Sequence, residues 1–211
     1  MRIKNQTGLA FLFGSVALTF LIAQENLPAP GIYKVVAEES RIEIHVGTAG
    51  VLGFMGHGHT MRPEVFSGEL QLKPQAAAPA SVHITIDAAS LRETAEFKPE
   101  EKATIEKQLH GDVLQTKTYP EISFRSTGVK FSVSPGHVYD AQIEGELAMH
   151  GITRKITIPT RVTDAGNQLR ATGKFEVNRK DYNIETKDAG GGTVKVDKTL
   201  EVSFELVLRP Q

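Results

Sequence analysis

The sequence predicts an all-β protein whose antiparallel strands pack as a sandwich or close into a barrel, with one helix set against them. Three observations carry this. Side-chain polarity alternates with a period of two in most runs after Tyr33, turn-forming clusters separate those runs, and one segment departs to helical spacing.

The chain opens with Arg2 and Lys4 ahead of Leu9–Ala23, an uncharged run of mostly apolar residues. At about 15 residues this run is shorter than the roughly 20 that span a bilayer. A charged start, a short apolar stretch and a small residue at its end are the parts of a secretory signal. The expectation is a signal peptide over residues 1–23, a short tether over 24–31 marked by Pro28 and Pro30, and a domain over 32–211, with an uncleaved anchor as the alternative. The domain is then exported, periplasmic or secreted, and keeps no membrane span once the signal is cleaved.

The strands follow in order. Phe66, Gly68, Leu70 and Leu72 alternate with Ser67, Glu69 and Gln71, and Val82, Ile84 and Ile86 alternate with His83, Thr85 and Asp87. Ile122 and Phe124 oppose Glu121, Ser123 and Arg125. Ile143, Leu147 and Met149 oppose Gln142, Glu144, Glu146 and Ala148. Leu169, Ala171, Gly173, Phe175 and Val177 alternate with Arg170, Thr172, Lys174 and Glu176, and Val202, Phe204, Leu206 and Leu208 oppose Glu201, Ser203 and Glu205. Successive side chains of a strand point to opposite faces, so each run has one apolar and one solvated face. Turns are marked by Ser134-Pro135-Gly136, Asp164-Ala165-Gly166-Asn167 and Ala189-Gly190-Gly191-Gly192. Most connections are too short for the helices that parallel strands need.

Lys98–Gln115 differs. Ala103, Ile105, Leu109, Val113 and Leu114 recur near helical spacing, Pro99 suits a first helical position, and Glu100 and Glu101 suit the first turn. One amphipathic helix, weakened near Gly111 and ended by Thr118-Tyr119-Pro120, is expected to lie across the sheet.

Composition excludes several classes. The chain has no cysteine, which removes disulfides, thiolate metal sites and a lipidated N-terminal cysteine. The net charge of −1, with both signs interspersed, offers no basic stripe for nucleic acid. Alternation alone does not separate sandwich from barrel. Closure removes exposed edges, and the small residues on apolar faces (Gly68, Gly145, Ala171 and Gly173) favour an interior with room for a ligand.

Four segments carry a family likeness: Ser81–Leu91 (SVHITIDAASL), Tyr119–Ser126 (YPEISFRS), Gly145–Pro159 (GELAMHGITRKITIP) and Phe175–Asn183 (FEVNRKDYN). In order and spacing the chain resembles the YceI-like family of exported, lipocalin-like, polyisoprenoid-binding proteins, over about Tyr33 to Leu208. GHGHT at Gly56–Thr60 and GGGTVKV at Gly190–Val196 look like features of a subgroup, and Asn183 stands where the family often has glycine. The resemblance implies an antiparallel, lipocalin-like β-barrel of about eight strands with one covering α-helix, whose apolar cavity accommodates an isoprenoid chain. Such a protein binds an apolar lipid or quinone-like ligand and needs no cofactor. The candidate contacts are Phe66, Leu70, Ile84, Ile86, Leu109, Phe124, Ile143, Leu147, Phe175 and Phe204. Each of them taken alone also suits an ordinary core.

Gly56-His57-Gly58-His59, with His45 nearby, is the sharpest polar feature. His57 and His59 would project to the same side of an extended strand, and imidazole is a common ligand for zinc, copper and nickel. A metal-binding module on this pair is therefore one alternative function, although a complete site usually needs three or four ligands, and an enzyme of unknown class acting on a small apolar substrate is another. His150 sits in a tight turn, Arg179 and Asp181 form a candidate charge pair, and His83, His110 and His137 call for no special role. The zinc-protease, phosphate-loop and nucleophile-elbow patterns are all absent, so an enzyme is not expected.

Overall fold

The structure is a computed structural model that describes residues 27–49, 58–73, 80–186 and 195–211. The expected signal peptide, His57 and the Gly190–Gly192 turn lie outside the described residues. In chain order the strands are β1 (Gly31–Val35), β2 (Arg41–Ala49), β3 (His59–Pro63), β4 (Phe66–Leu72), β5 (Ala80–Asp87) and β6 (Leu91–Glu93). Helix α1 (Pro99–Gln108) follows, and then β7 (Glu121–Ser134), β8 (Val138–Met149), β9 (Ile152–Asp164), β10 (Leu169–Asn178) and β11 (Lys195–Pro210).

All pairings are antiparallel, and the register explains the count. β1 and β2 both pair with β11, β4 and β3 pair with β1 and β2 in turn, and β5 and β6 pair with β4 and β3. The first six segments are therefore three strands, each bent once, so that eleven segments form a closed barrel of eight strands. Closure comes from Tyr33, Lys34 and Val35 of β1 against Pro210, Arg209 and Leu208 of β11.

The bends occur where the chain leaves the ladder, in short 3-10 turns at Ala37–Glu39 and Ala88–Ser90 and at Glu64-Val65. The hairpin turns use left-handed backbone where the sequence allows it, with His150 and Gly151 at φ of 51° and 74° between β8 and β9. Asp164 accepts from the Gly166 N–H at 2.7 Å to close the turn between β9 and β10.

The apolar parity of the longer strands faces inward, interrupted in β9 by Arg154 and Thr160. The outward parity carries cross-strand ion pairs such as Lys174–Glu201 (2.7 Å) and Arg161–Asp140 (2.8 Å), and the Arg161 bond holds the Asp140 carboxyl below its ordinary value. Such exposed pairs contribute little stability each. They do show which face meets water, and this polarity is the reverse of a membrane-spanning barrel, which turns its apolar face outward. No helix among the described residues is long and apolar enough to cross a membrane.

The core is the inner wall, in two adjoining clusters. Tyr33, Ile42, Leu169, Ala171, Leu206 and Leu208 form one, and Phe124, Leu147, Met149, Ile158, Val177, Tyr182 and Ile184 form the other. The inward glycines act differently from the sequence expectation that they make room. A Cβ on Gly145 would lie 2.4 Å from Phe124 Cζ, and one on Gly173 would lie 2.4 Å from Phe204 Cζ. Both glycines seat a neighbouring strand's phenyl ring against the wall, so the free volume lies further in.

The helix is shorter than expected. α1 ends at Gln108 and continues as a π-helical turn over Leu109–Val113 that contains Gly111. Pro99 occupies the first turn, and the Lys98 N–H donates to the Glu101 carboxylate at 3.0 Å. Among the described residues β6 has no strand partner on the side away from β3, because β7 pairs with β5 there. The segment from α1 to the π-turn follows that free edge, and Glu106 of α1 accepts the Glu93 N–H at 3.0 Å.

Candidate ligand-binding interior

Two adjoining chambers occupy the barrel. The first, about 220 Å³, lies toward β1, β4 and the end of β11. Its lining is apolar except for Glu69, Ser123, Thr160 and the phenol of Tyr139. Burial, then the charge of Asp164, pushes the Tyr139 phenol up. The second, about 420 Å³, lies toward β2, β3, β6 and α1. Ile42, Ile86, Ile122, Leu147, Phe175 and Val202 line both chambers and form a shared waist. The larger volume falls in the range of ordinary small-ligand pockets.

Of the residues singled out from sequence, Leu70, Ile84, Phe124, Ile143 and Phe204 line the first chamber. Ile86, Leu147 and Phe175 stand at the waist, and Leu109 lines the second chamber from the π-turn. Phe66 lines neither, and packs at the periphery of the Tyr33 cluster. Alternation places these side chains inward, and the barrel's curvature brings strands distant in sequence around one space.

The second chamber carries polar groups that alternation did not flag. Gln108 and Asp112 reach it from the helical segment, Arg179, Glu185 and Thr186 from the stretch after β10, and His59 from β3. Arg179 is 6% exposed. It does not pair with Asp181, which is a correction to the sequence expectation. Its guanidinium donates to the carbonyls of Asp197 (3.0 Å), Ile184 (2.8 Å) and Val196 (3.2 Å). The two residues lie on a 3-10 turn with three residues per turn, so positions two apart diverge. Arg179 thereby ties the end of β10 to the start of β11.

His59 and His45 sit on opposite faces. Val46 is the register partner of His59 and lines the second chamber with it, whereas His45 opposes Thr60 and bonds its hydroxyl at 3.4 Å. His59 Nδ1 lies 2.8 Å from Glu93 Oε2, and the Glu93 side chain is fully buried. Glu93 Oε1 accepts the backbone N–H groups of Thr60 (3.1 Å) and Ala95 (2.8 Å). Among the described residues no group of three His, Asp or Glu could hold a metal ion. Glu93 is the site residue that sequence reasoning missed. Its signal is parity, because Leu91 and Glu93 share a face of β6, which turns a carboxylate inward.

His150 and His83 line neither chamber. His150 Nδ1 bonds the Tyr182 carbonyl at 2.9 Å and its ring packs on Tyr119 at 4.5 Å, while His83 lies on the outer face near Arg125.

Residues 33–208 match the family model described as YceI-like domain. The chain belongs to the YceI-like family. It is 28% identical over 146 residues to Protein YceI of Escherichia coli O17:K52:H18, which covers 65% of this chain and 69% of the relative. It is 28% identical over 166 residues to a UPF0312 protein of Vibrio campbellii, with 76% of this chain and 74% of the relative covered. Among solved structures, Burkholderia cenocepacia BcnA superposes with a TM-score of 0.63 at 23% identity, over 82% of this chain and 98% of that one. A polyisoprenoid binding domain from Saccharophagus degradans, implicated in plant cell wall breakdown, gives 0.63 at 16% identity, over 87% and 100%. These two structures share the closed antiparallel fold described above.

Proposed function

We propose that this barrel is exported and sequesters or carries an apolar, isoprenoid-like lipid, with a quinone tail or a polyprenyl chain as the ligand class. The observation that carries the reading is the pair of adjoining chambers, the first nearly all apolar, that share one apolar waist inside the closed barrel. An extended hydrocarbon chain suits such a shape, because each Å² of apolar surface it buries contributes about 25 cal/mol without any polar contact. The family supports the same class, as does the polyisoprenoid-binding domain among the structural neighbours. Export is supported by the charged start and short apolar run at the N-terminus.

The test is lipid extraction and mass spectrometry of protein purified from its native compartment, with N-terminal sequencing of the same sample. The expected result is a co-purifying isoprenoid and a chain beginning near Gln24. Added lipid at a hundred times its Kd should raise the melting temperature by roughly 5–10 °C. Lipid-free protein whose melting point ignores added isoprenoid overturns the reading.

A further inference from the structure

We infer that the second chamber contains a head-group subsite in which His59 Nε2 accepts a hydrogen bond from a hydroxyl on the bound amphiphile. This rests on the lipid-binding reading and narrows its ligand to an isoprenoid with a hydroxylated head, an alcohol, phenol or quinol.

The inference comes from how the two ends of one imidazole are used. Glu93 is buried, and its Oε1 accepts two backbone N–H groups while Oε2 faces His59 Nδ1 at 2.8 Å. A carboxylate occupied in this way is an acceptor, so Nδ1 carries the ring proton. The tautomer then leaves Nε2 with a lone pair. No described residue bonds Nε2, although His59 lines the second chamber.

The ring is also held in place. It stacks on Phe97 with centroids 5.5 Å apart and planes at 25°, and Glu93 fixes its rotation. A buried carboxylate supporting an imidazole that stabilises nothing beyond it would be a costly way to join β3 to β6, which their backbone pairing already joins. The polarity of the chambers fits the same division. The tail has a nearly all-apolar first chamber, and the head has a second chamber with an oriented acceptor on its wall.

The test compares two probes with the same tail. Farnesol presents a hydroxyl donor, and farnesyl methyl ether does not. Calorimetric titration of the full domain should show the wild type preferring farnesol by about fivefold, the weight of one such bond. In His59→Leu the ratio of alcohol to ether affinity should fall to about one, and a melting transition close to that of wild type reports an intact fold. Glu93→Gln should act differently, because an amide can donate to Nδ1 and move the ring proton to Nε2. The ether should then bind better than to wild type and the preference for alcohol should collapse. Equal affinity of wild type for the two probes overturns the subsite while leaving lipid binding in place. A preference that survives His59→Leu overturns it as well, and failure of both probes to bind wild type removes the lipid reading with it.

Discussion

Tyr182 shows how a single residue can carry a measurable signature of this interior. It is 1% exposed, belongs to the Phe124–Leu147 cluster, and its hydroxyl has no partner among the described residues. Burial first, then the charge of Asp181, pushes its phenol up to about 12, with Arg154 pulling the other way. In the unfolded chain the same phenol ionises near pH 10. The neutral form is thus favoured by folding. Its contribution is complete below pH 10 and is lost as pH rises from 10 through about 12, because the unfolded chain releases the proton first. Tyr182→Phe removes a hydroxyl that bonds none of the described residues, so the melting temperature at pH 7 should stay within about 2 °C of wild type or rise. Between pH 10 and 12 the variant should lose less stability than wild type, with Tyr33 and Tyr139, whose phenols are also raised, keeping part of the alkaline limb. A drop of several degrees at pH 7 would show that the hydroxyl has a partner in solution.

At the scale of elements, the bends in the first three strands decide whether the barrel closes. Where β1 leaves the ladder, the Val36 N–H donates to the Val207 carbonyl at 2.8 Å, and the Val207 N–H donates to Ser40 Oγ at 3.0 Å. Ser40 in turn donates to the Val36 carbonyl at 2.7 Å, so one hydroxyl replaces the missing backbone rung. Val207 is 1% exposed. Ser40→Ala should therefore leave a buried N–H unpaired at a cost of about 1–3 kcal/mol, read as a lower denaturant midpoint with an unchanged slope. An unchanged midpoint would mean that water enters the bend and replaces the hydroxyl. Bends of this kind also explain what the sequence concealed. The runs at 66–72, 82–87, 121–125, 142–149, 169–177 and 201–208 were legible because each keeps its period of two over a full strand. β3 and β6 span only five and three residues, and their pairing is set by neighbours rather than by their own pattern. β9 is hidden from alternation because Arg154 and Thr160 occupy parity otherwise held by Ile156, Ile158 and Val162. The end of the helix is not legible because helical spacing continues through the π-turn, where Leu109 still lines the interior.

For the whole molecule, the site was legible as a face and not as a shape. Inward parity could be read for Leu70, Ile84, Phe124 and Phe175, but closure is a long-range fact made by three pairs between β1 and β11. The waist is the property that emerges only on closure, and Leu147 is its most informative member. It is 8% exposed, lies on β8, and lines both chambers. Leu147→Trp places an indole between them. A tail long enough to occupy both chambers then loses the part of its burial that crosses the waist. Excluding even about 60 Å² of apolar contact at 25 cal/mol per Å² lowers affinity roughly tenfold. A short prenyl chain that fits one chamber should bind nearly as in wild type, which separates blocking from general damage, since overpacking itself costs about 1–3 kcal/mol of stability. Titration with prenyl alcohols of increasing length should therefore show affinity rising in wild type and levelling off earlier in the variant. Parallel curves for the two proteins would mean that ligands never cross the waist, and that the chambers bind independently.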